Sequence, residues 1–493
     1  MKKYDVLVLG AGLAGIFTAM ELVRKRPELK IALLEQGEPI ADRKCPIIAG
    51  QSASCMHCPT CDIMRGFGGA GAFSDGKFNF TTEFGGWLTD YLPAKQVMDL
   101  IYEVDRINQE FGAPDEVYST RTPAAEEVRR KALGCDIYLL DAECKHIGTE
   151  RNREILLRQS AWLEKRVDLF CRTKVENIHP QHRGSTIQVT EKKHGDGIHP
   201  QQQGPPSSAI SPETVVGYVL ETTAGDFQGK YLVAAPGRAG AEWFSHQTKG
   251  LGLSLTHNRV DLGVRVELPA LVFKDITDAM YEAKLLYETK QYHDIVRTFC
   301  MNPYGHVVTE NTDGIITVNG HSYEDPKLRS ENTNFALLVS NRFTQPFTEP
   351  NRYGKHIAAL SNMLGGGVLL QRFGDLTYGR RTTTHRMTKC FVHPTLDAVP
   401  GDLSLALPKR HLDNVIEMIY ALDKLAPGTA NADTLLYGVE VKFYSGRVQL
   451  TSELETELPN FFAIGDGAGI TRGLSQAGAS GIHAARQILK RLD

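Results

Sequence analysis

Asp5-Val6-Leu7-Val8-Leu9-Gly10-Ala11-Gly12-Leu13-Ala14-Gly15 is the stretch that decides the fold of this chain. Its apolar run reads as a buried strand. It passes straight into a glycine turn and then a helical pattern that ends near Arg26 and Pro27. A second apolar strand, Ile31 to Leu34, stops at Glu35, twenty residues after Gly15. Strand, turn, helix and an acidic residue at that distance form a dinucleotide-binding fingerprint. Gly10 permits the tight turn, and Gly12 lets backbone amides approach a pyrophosphate with no Cβ in the way. Gly15 lets the helix pack closely on its strand, and the positive end of that helix faces the phosphates. Glu35 ends its strand as a carboxylate, which suits an unphosphorylated ribose hydroxyl.

The other end of the chain carries a partner element. Phe461-Phe462-Ala463-Ile464-Gly465-Asp466-Gly467-Ala468-Gly469 is a strand entering a glycine turn with Asp466 at its tip. It resembles the element that holds the flavin ribityl chain in flavoproteins with two dinucleotide-binding domains. The distant Gly-Asp, the fingerprint and Glu35 together point to FAD.

Bulk properties set the frame. The 493 residues predict two or three domains. Charge is nearly balanced, 55 Lys and Arg against 58 Asp and Glu, so neither nucleic acid nor an acidic membrane is expected as a partner. No membrane span is expected either. Nine cysteines, four of them clustered, argue against a secreted disulfide scaffold and for a reducing, cytoplasmic setting.

The fold class expected is α/β: a Rossmann-like FAD-binding domain, discontinuous in sequence, with an inserted mixed α+β substrate domain. Residues 1–250 form its first part and include a Cys- and Gly-rich insertion at 37–90. Residues 251–436 form the substrate or capping domain, and 437–493 return to the FAD-binding domain. Tyr231 to Gly237 reads as a strand coming back to the nucleotide sheet. Thr186 to Thr190 and Tyr218 to Thr223 read as a small antiparallel meander. Lys193 to Pro212 reads as a hairpin tip.

Cys45, Cys55, Cys58 and Cys61 have the spacing C-x9-C-x2-C-x2-C, close enough to converge on one centre. Thiolates suit zinc or an iron–sulfur cluster, so these four are the candidate metal ligands. Thiol–disulfide chemistry and a loop without a bound centre stay open, and His57 lies inside the run. Directly downstream, Gly66 to Gly76 places five glycines in eleven positions. Backbone so bare can pass close to a flat ring or a phosphate. Lys77 then becomes a candidate cation beside the flavin N1–C2 edge.

Cys45-Pro46, Cys55 to Cys61, Gly66 to Lys77, Val296 to Met301, Asn319-Gly320-His321-Ser322, Glu440 to Tyr444 and Gly465 to Gly473 resemble a largely uncharacterised family of FAD-dependent dehydrogenases. Its broader relatives are similar to glutathione-reductase-like flavoproteins, including geranylgeranyl reductases. The resemblance implies an FAD-dependent oxidoreductase, a dehydrogenase or reductase moving hydride or electrons between flavin and a small organic substrate. The expected cofactor-binding residues are Gly10, Gly12, Leu13, Ala14, Gly15, Glu35, Val175, Gly237, Gly465 and Asp466. Candidate catalytic residues are Lys77, His321 (after a tight turn at Asn319-Gly320), Lys442 and Arg472. No second glycine fingerprint is found, so NAD(P)H is expected only as a transient electron donor. Alternatives are a flavo-iron–sulfur electron-transfer reductase served by a protein donor, a flavin-dependent RNA-modifying protein, and a non-catalytic redox sensor.

Overall fold

A computed structural model of the chain describes every residue except 47–48, 50, 52–55, 57, 75, 184–213, 257–258, 281, 313, 324, 342, 344–345, 348 and 493. The expected hairpin tip at Lys193 to Pro212 and the strand at Thr186 to Thr190 therefore lie outside the described residues, as do Cys55 and His57. The chain divides into two compact units. One comprises Met1–Val117, Glu143–Thr256 and Ser445–Asp493; the other comprises Tyr118–Ala142 and His257–Tyr444.

The first unit is built on a seven-stranded sheet among the described residues. Lys2–Leu9 is central and pairs in parallel with Ile31–Leu34 on one side and Phe227–Ala234 on the other. Val6 to Leu9 are all buried, as a parallel strand covered on both faces requires. The Phe227–Ala234 strand has two roles on its far side. Its first residues pair antiparallel with Val215–Thr222, and its last pair in parallel with Phe461–Ala463. Residues more than two hundred positions apart are thus drawn to one sheet edge. The architecture is α/β and Rossmann-like, as the fingerprint predicts.

Close helix packing completes this unit. The first helix, Leu13–Lys25, lies against the closing helix, Leu474–Lys490. A Cβ on Gly481 would stand 2.2 Å from the Ala14 carbonyl oxygen, so only glycine allows the two backbones this approach. Thr18 Oγ1 donates to the Ala14 carbonyl at 2.8 Å and to the Gly481 carbonyl at 3.3 Å across that seam. The closing helix begins at Leu474, with five residues between it and the turn Asp466–Ala468.

The second unit centres on an eight-stranded, largely antiparallel sheet. Its longest strands, Val260–Pro269 and Asn332–Asn341, pair along their full length. Leu262, Val264, Val266 and Leu268 point to one face, where they meet Phe335, Leu337 and Val339 and the helix Lys409–Leu425. Phe273 and Phe335 rings sit 4.7 Å apart in this core. Asp261, Arg265 and Glu267 alternate with those apolar residues and are buried on the opposite face.

His411, in the first turn of Lys409–Leu425, is 4 % exposed, and neither ring nitrogen has a hydrogen-bond partner. Burial drives its pKa down from 6.5 to about 4, against the pull of Asp294. The folded value lies below the unfolded one, so the unfolded chain binds the extra proton and stability falls as pH drops from 6.5 towards 4. The full effect is about 3 kcal/mol. Urea unfolding at pH 7 and pH 4.5 should show a smaller loss of stability for His411→Gln than for the unaltered chain. Equal losses would contradict the assignment.

Candidate functional site

In the first unit the glycine turn does what its sequence predicts. Gly10 has φ +93°, and a Cβ there would meet the Ala235 carbonyl oxygen at 2.2 Å. Gly12 stands at the N-cap of the Leu13–Lys25 helix, with no side-chain cap and no acidic residue in the first turn. The amides of Leu13, Ala14 and Gly15 therefore open the helix as a positive terminus with no side chain answering it. A Cβ on Gly12 would meet only Gly69 Cα, at 4.0 Å, and one on Gly237 would meet nothing within 4 Å. These are the openings a pyrophosphate and its sugar need. The residues present fit FAD.

Glu35 is buried and carries more than the expected sugar contact. Its Oε2 accepts the Ala11 amide at 2.9 Å, while Oε1 accepts the amides of Gly37 and Gly66, each at 2.9 Å. A carboxylate offers about four lone-pair directions, so one remains for a ribose hydroxyl. The Glu35 amide donates to the Phe170 carbonyl, and its own carbonyl accepts from Thr173, which fixes the chain that leads into Val175 at the start of Val175–His182.

Gly66 belongs to the glycine-rich loop, and that loop lies on the fingerprint. The Gly68 amide donates to the Ala11 carbonyl at 2.7 Å, and Gly12 and Gly68 form a parallel bridge. A Cβ on Gly71 would meet Leu474 Cδ2 at 2.8 Å and Leu13 Cδ1 at 4.0 Å, so the loop touches the first residues of both helices. Gly465 is equally close: a Cβ there would meet Ala14 Cβ at 3.1 Å. Asp466 Oδ1 accepts from Thr471 Oγ1 at 2.7 Å, and its Oδ2 lies 3.5 Å from Arg238 Nε. Ser475, in the first turn of the uncapped closing helix, is buried, and its hydroxyl has no partner. Two open helix termini, the glycine loop, Glu35 and Asp466 thus converge in one unit.

Arg43, which sequence reasoning missed, organises this loop. Its guanidinium is 1 % exposed and makes five hydrogen bonds to backbone carbonyls: Asp62 twice, Ile63, Phe67 and Gly69. Burial lowers its pKa to about 10, with the charge of Glu35 acting in the opposite sense. One cation therefore ties the segment after the cysteines to the segment that touches Gly12. Nothing local in the sequence marks Arg43 as buried, because its partners are carbonyls, which any residue supplies.

The remaining candidates scatter. Lys77 is half-buried at the start of Lys77–Phe80, opposite His146. Arg472 is half-buried, with its amide on the Gly85 carbonyl at 2.8 Å. Cys45 and Cys61 are half-buried and Cys58 is exposed. Among the described residues no three Cys, His, Asp or Glu side chains converge as a metal would require.

In the second unit, Asn319-Gly320 is not the expected turn. It lies within the strand Ile315–His321, because Gly320 must pass the side chains of Arg265, Asn302 and Asn334, each 2.2–2.3 Å from where a Cβ would stand. His321 is exposed at the end of that strand, edge-on to Tyr323. Lys442 is buried, with its ammonium 3.0 Å from Glu440 Oε1. Glu440 also pairs with Arg265 through two hydrogen bonds of 2.8 and 2.9 Å. Burial alone would raise the Glu440 carboxyl, but Arg265 and Lys442 hold it below the usual range. The sequence signal of these buried charges is alternation with apolar residues, Asp261, Arg265 and Glu267 on one strand and Glu440 and Lys442 on its neighbour.

Fold and cradle define a dinucleotide-binding protein of the FAD class. Residues 261–443 match the family described as FAD-dependent protein, C-terminal domain-like, which bears out the resemblance drawn from the sequence and, with it, FAD as cofactor. An uncharacterized protein of Clostridium beijerinckii is 24% identical, the match covering 100% of this chain and 82% of that protein. Among solved structures the chain is similar to glycine oxidase from Geobacillus kaustophilus (12% identity, TM-score 0.34, 99% of this chain and 95% of that one). It is also similar to L-proline dehydrogenase from P. horikoshii (11% identity, TM-score 0.36, 99% and 94%). Among the described residues no helix is long and apolar enough to cross a membrane.

Removing the Arg43 cation should loosen the cradle without touching the fingerprint. Arg43→Met is expected to weaken FAD binding by at least about tenfold, since four carbonyls lose their donor. Equilibrium titration with FAD, followed by flavin fluorescence, measures it. Affinity equal to that of the unaltered chain would refute the role.

Proposed function

We propose that the protein is an FAD-dependent oxidoreductase acting on a small organic substrate. The observation that carries this reading is the convergence, within the first unit, of Glu35 and the open N-terminus at Gly12 with the glycine-rich loop. Leu13, Ala14 and Gly15 would present amides to the pyrophosphate, and Gly10 shapes the turn that aims them. Glu35 would accept one ribose hydroxyl while keeping its three amides. Gly237, Gly465 and Asp466 would line the path of the ribityl chain, and Ser475 would offer its unpartnered hydroxyl near the start of the closing helix. FAD, when bound, supplies a ring that accepts or returns a hydride. The second unit, with the family match, is the candidate for substrate recognition.

The test is the visible spectrum of the purified protein, recorded without oxygen, together with the flavin released on denaturation and the iron, zinc and sulfide contents. One FAD per chain is expected, reducible by a chemical or nicotinamide donor. A chain that neither retains nor rebinds FAD would refute the reading. Iron and sulfide in stoichiometric amount would replace it with a flavo-iron–sulfur reductase and give the cysteine run its ligand role.

A further inference from the structure

Residues 378–391 of the second unit carry charge of one sign: Arg380, Arg381, Arg386 and Lys389, with no Asp or Glu among them. The buried carboxylate of Asp375 draws three guanidiniums together. Arg380 Nε lies 2.8 Å from its Oδ1, Arg386 Nη1 lies 3.7 Å from the same oxygen, and Arg372 Nη1 lies 3.5 Å from Oδ2. Arg372 also pairs with Asp433 through Nε and Nη2, which leaves Arg380 and Arg386 to share Asp375. Arg386 Nη1 donates to the Arg381 carbonyl at 2.6 Å, and the Lys389 amide donates to the Arg386 carbonyl at 3.2 Å, so the four cations of the segment are linked. Among the described residues no carboxylate lies within ion-pair distance of Arg381 or Lys389. With Arg372 included, five cations meet two carboxylates, a surplus of three on a chain whose formal net charge is -3.

The cations stand at the surface and the carboxylate behind them. The Asp375 side chain is 0 % exposed, Arg386 is 34 % and Arg380 is 49 % exposed. Hydrogen bonds fix the segment from beneath: Thr382 Oγ1 donates to Asp375 Oδ2 at 2.8 Å, and Gln371 Nε2 donates to the Arg380 carbonyl at 2.9 Å. Two aromatic rings are left in water at its ends, Tyr378 at 76 % and Phe391 at 55 % exposure. The Arg380 guanidinium lies 5.0 Å from the Tyr378 ring centroid, and the Phe391 amide donates to Asp433 Oδ2 at 3.2 Å. Contacts therefore run unbroken from Phe391 through Asp433, Arg372, Asp375 and Arg380 to Tyr378. Arginines beside exposed aromatic rings are the composition of protein interfaces, in which Tyr and Arg carry much of the affinity. A nucleic acid calls for a basic domain, whereas this chain has 58 Asp and Glu against 55 Lys and Arg. We propose that this surface docks an acidic protein, whose carboxylates meet Arg380, Arg381, Arg386 and Lys389 while its apolar side chains cover Tyr378 and Phe391. Complementary charge steers such a partner and sets its orientation.

Fluorescence anisotropy with the full-length holoprotein tests the proposal. The probe is a labelled Glu-rich peptide with interspersed Leu and Tyr, compared with a matched peptide carrying Gln for Glu. The Glu peptide should bind tenfold or more tightly at low salt and lose affinity as ionic strength rises. Arg381→Glu combined with Lys389→Glu should weaken it at least tenfold, and the pair of Gln substitutions at the same positions serves should that variant fail to fold. Tyr378→Ala should weaken it at least threefold, a loss that charge pairing alone does not give. Reversing two exposed cations of the first unit, Lys3→Glu with Arg151→Glu, should leave affinity within twofold. Equal binding of the two peptides, unchanged affinity in the folded variants, or an equal loss from the first-unit reversal would overturn the proposal. So would tighter binding of an oligothymidylate of the same net charge, lost in the same variants, which would assign the surface to nucleic acid.

Discussion

The Glu35 carboxylate joins three pieces of backbone through one set of hydrogen bonds. Its two oxygens accept the amides of Ala11, Gly37 and Gly66, so the fingerprint turn, the end of the second strand and the start of the glycine-rich loop share one anchor. In a buried setting each such charge-assisted bond is stronger than its neutral equivalent, and an amide left without it would carry a full desolvation cost. The geometry of the cradle therefore depends on this acid before any ligand arrives. A residue expected to serve the ribose is first a structural tie.

Arg43 is the opposite pole of the same construction. Glu35 collects amide hydrogens, and Arg43 collects carbonyl oxygens from Asp62 to Gly69. Between them they fix both hydrogen-bonding edges of a loop that has few side chains of its own to pack. Glycine gives this loop its close approach to Gly12 but denies it the usual means of holding a shape. Two buried ionic side chains replace the missing contacts. The loop after the cysteines is thereby mechanically coupled to the dinucleotide cradle through one guanidinium.

Legibility in the sequence follows from how local each constraint is. Gly10, Gly12 and Gly15 could be read because a turn, a backbone approach and a helix contact each forbid a Cβ at a fixed spacing. Ile31–Leu34 and Phe461–Ala463 could be read because buried parallel strands must be continuously apolar. Arg43 could not, since its partners lie nineteen to twenty-six residues away and are all main-chain atoms. Asn319-Gly320 misled because the pair has good turn chemistry, while the real demand on Gly320 came from Arg265, far off in sequence. The packing of Tyr118–Ala142 with the second unit has no sequence signal at all.

Strand alternation in the second unit shows how one sheet can serve two purposes. On Val260–Pro269 the even-numbered residues build the apolar core, which leaves the odd-numbered face free to hold charge. On the neighbouring Leu435–Lys442 strand the same face is kept by Tyr437 and then by Glu440 and Lys442, an odd position giving way to even ones. The change coincides with the register shift between Gly263 and Arg265, and an extra residue there reverses parity. Without it Glu440 would point into the apolar core, away from Arg265. The irregularity thus places the Glu440 carboxylate beside Arg265, and an uncompensated buried charge costs several kcal/mol. Such a face gains little stability over an apolar one of the same volume.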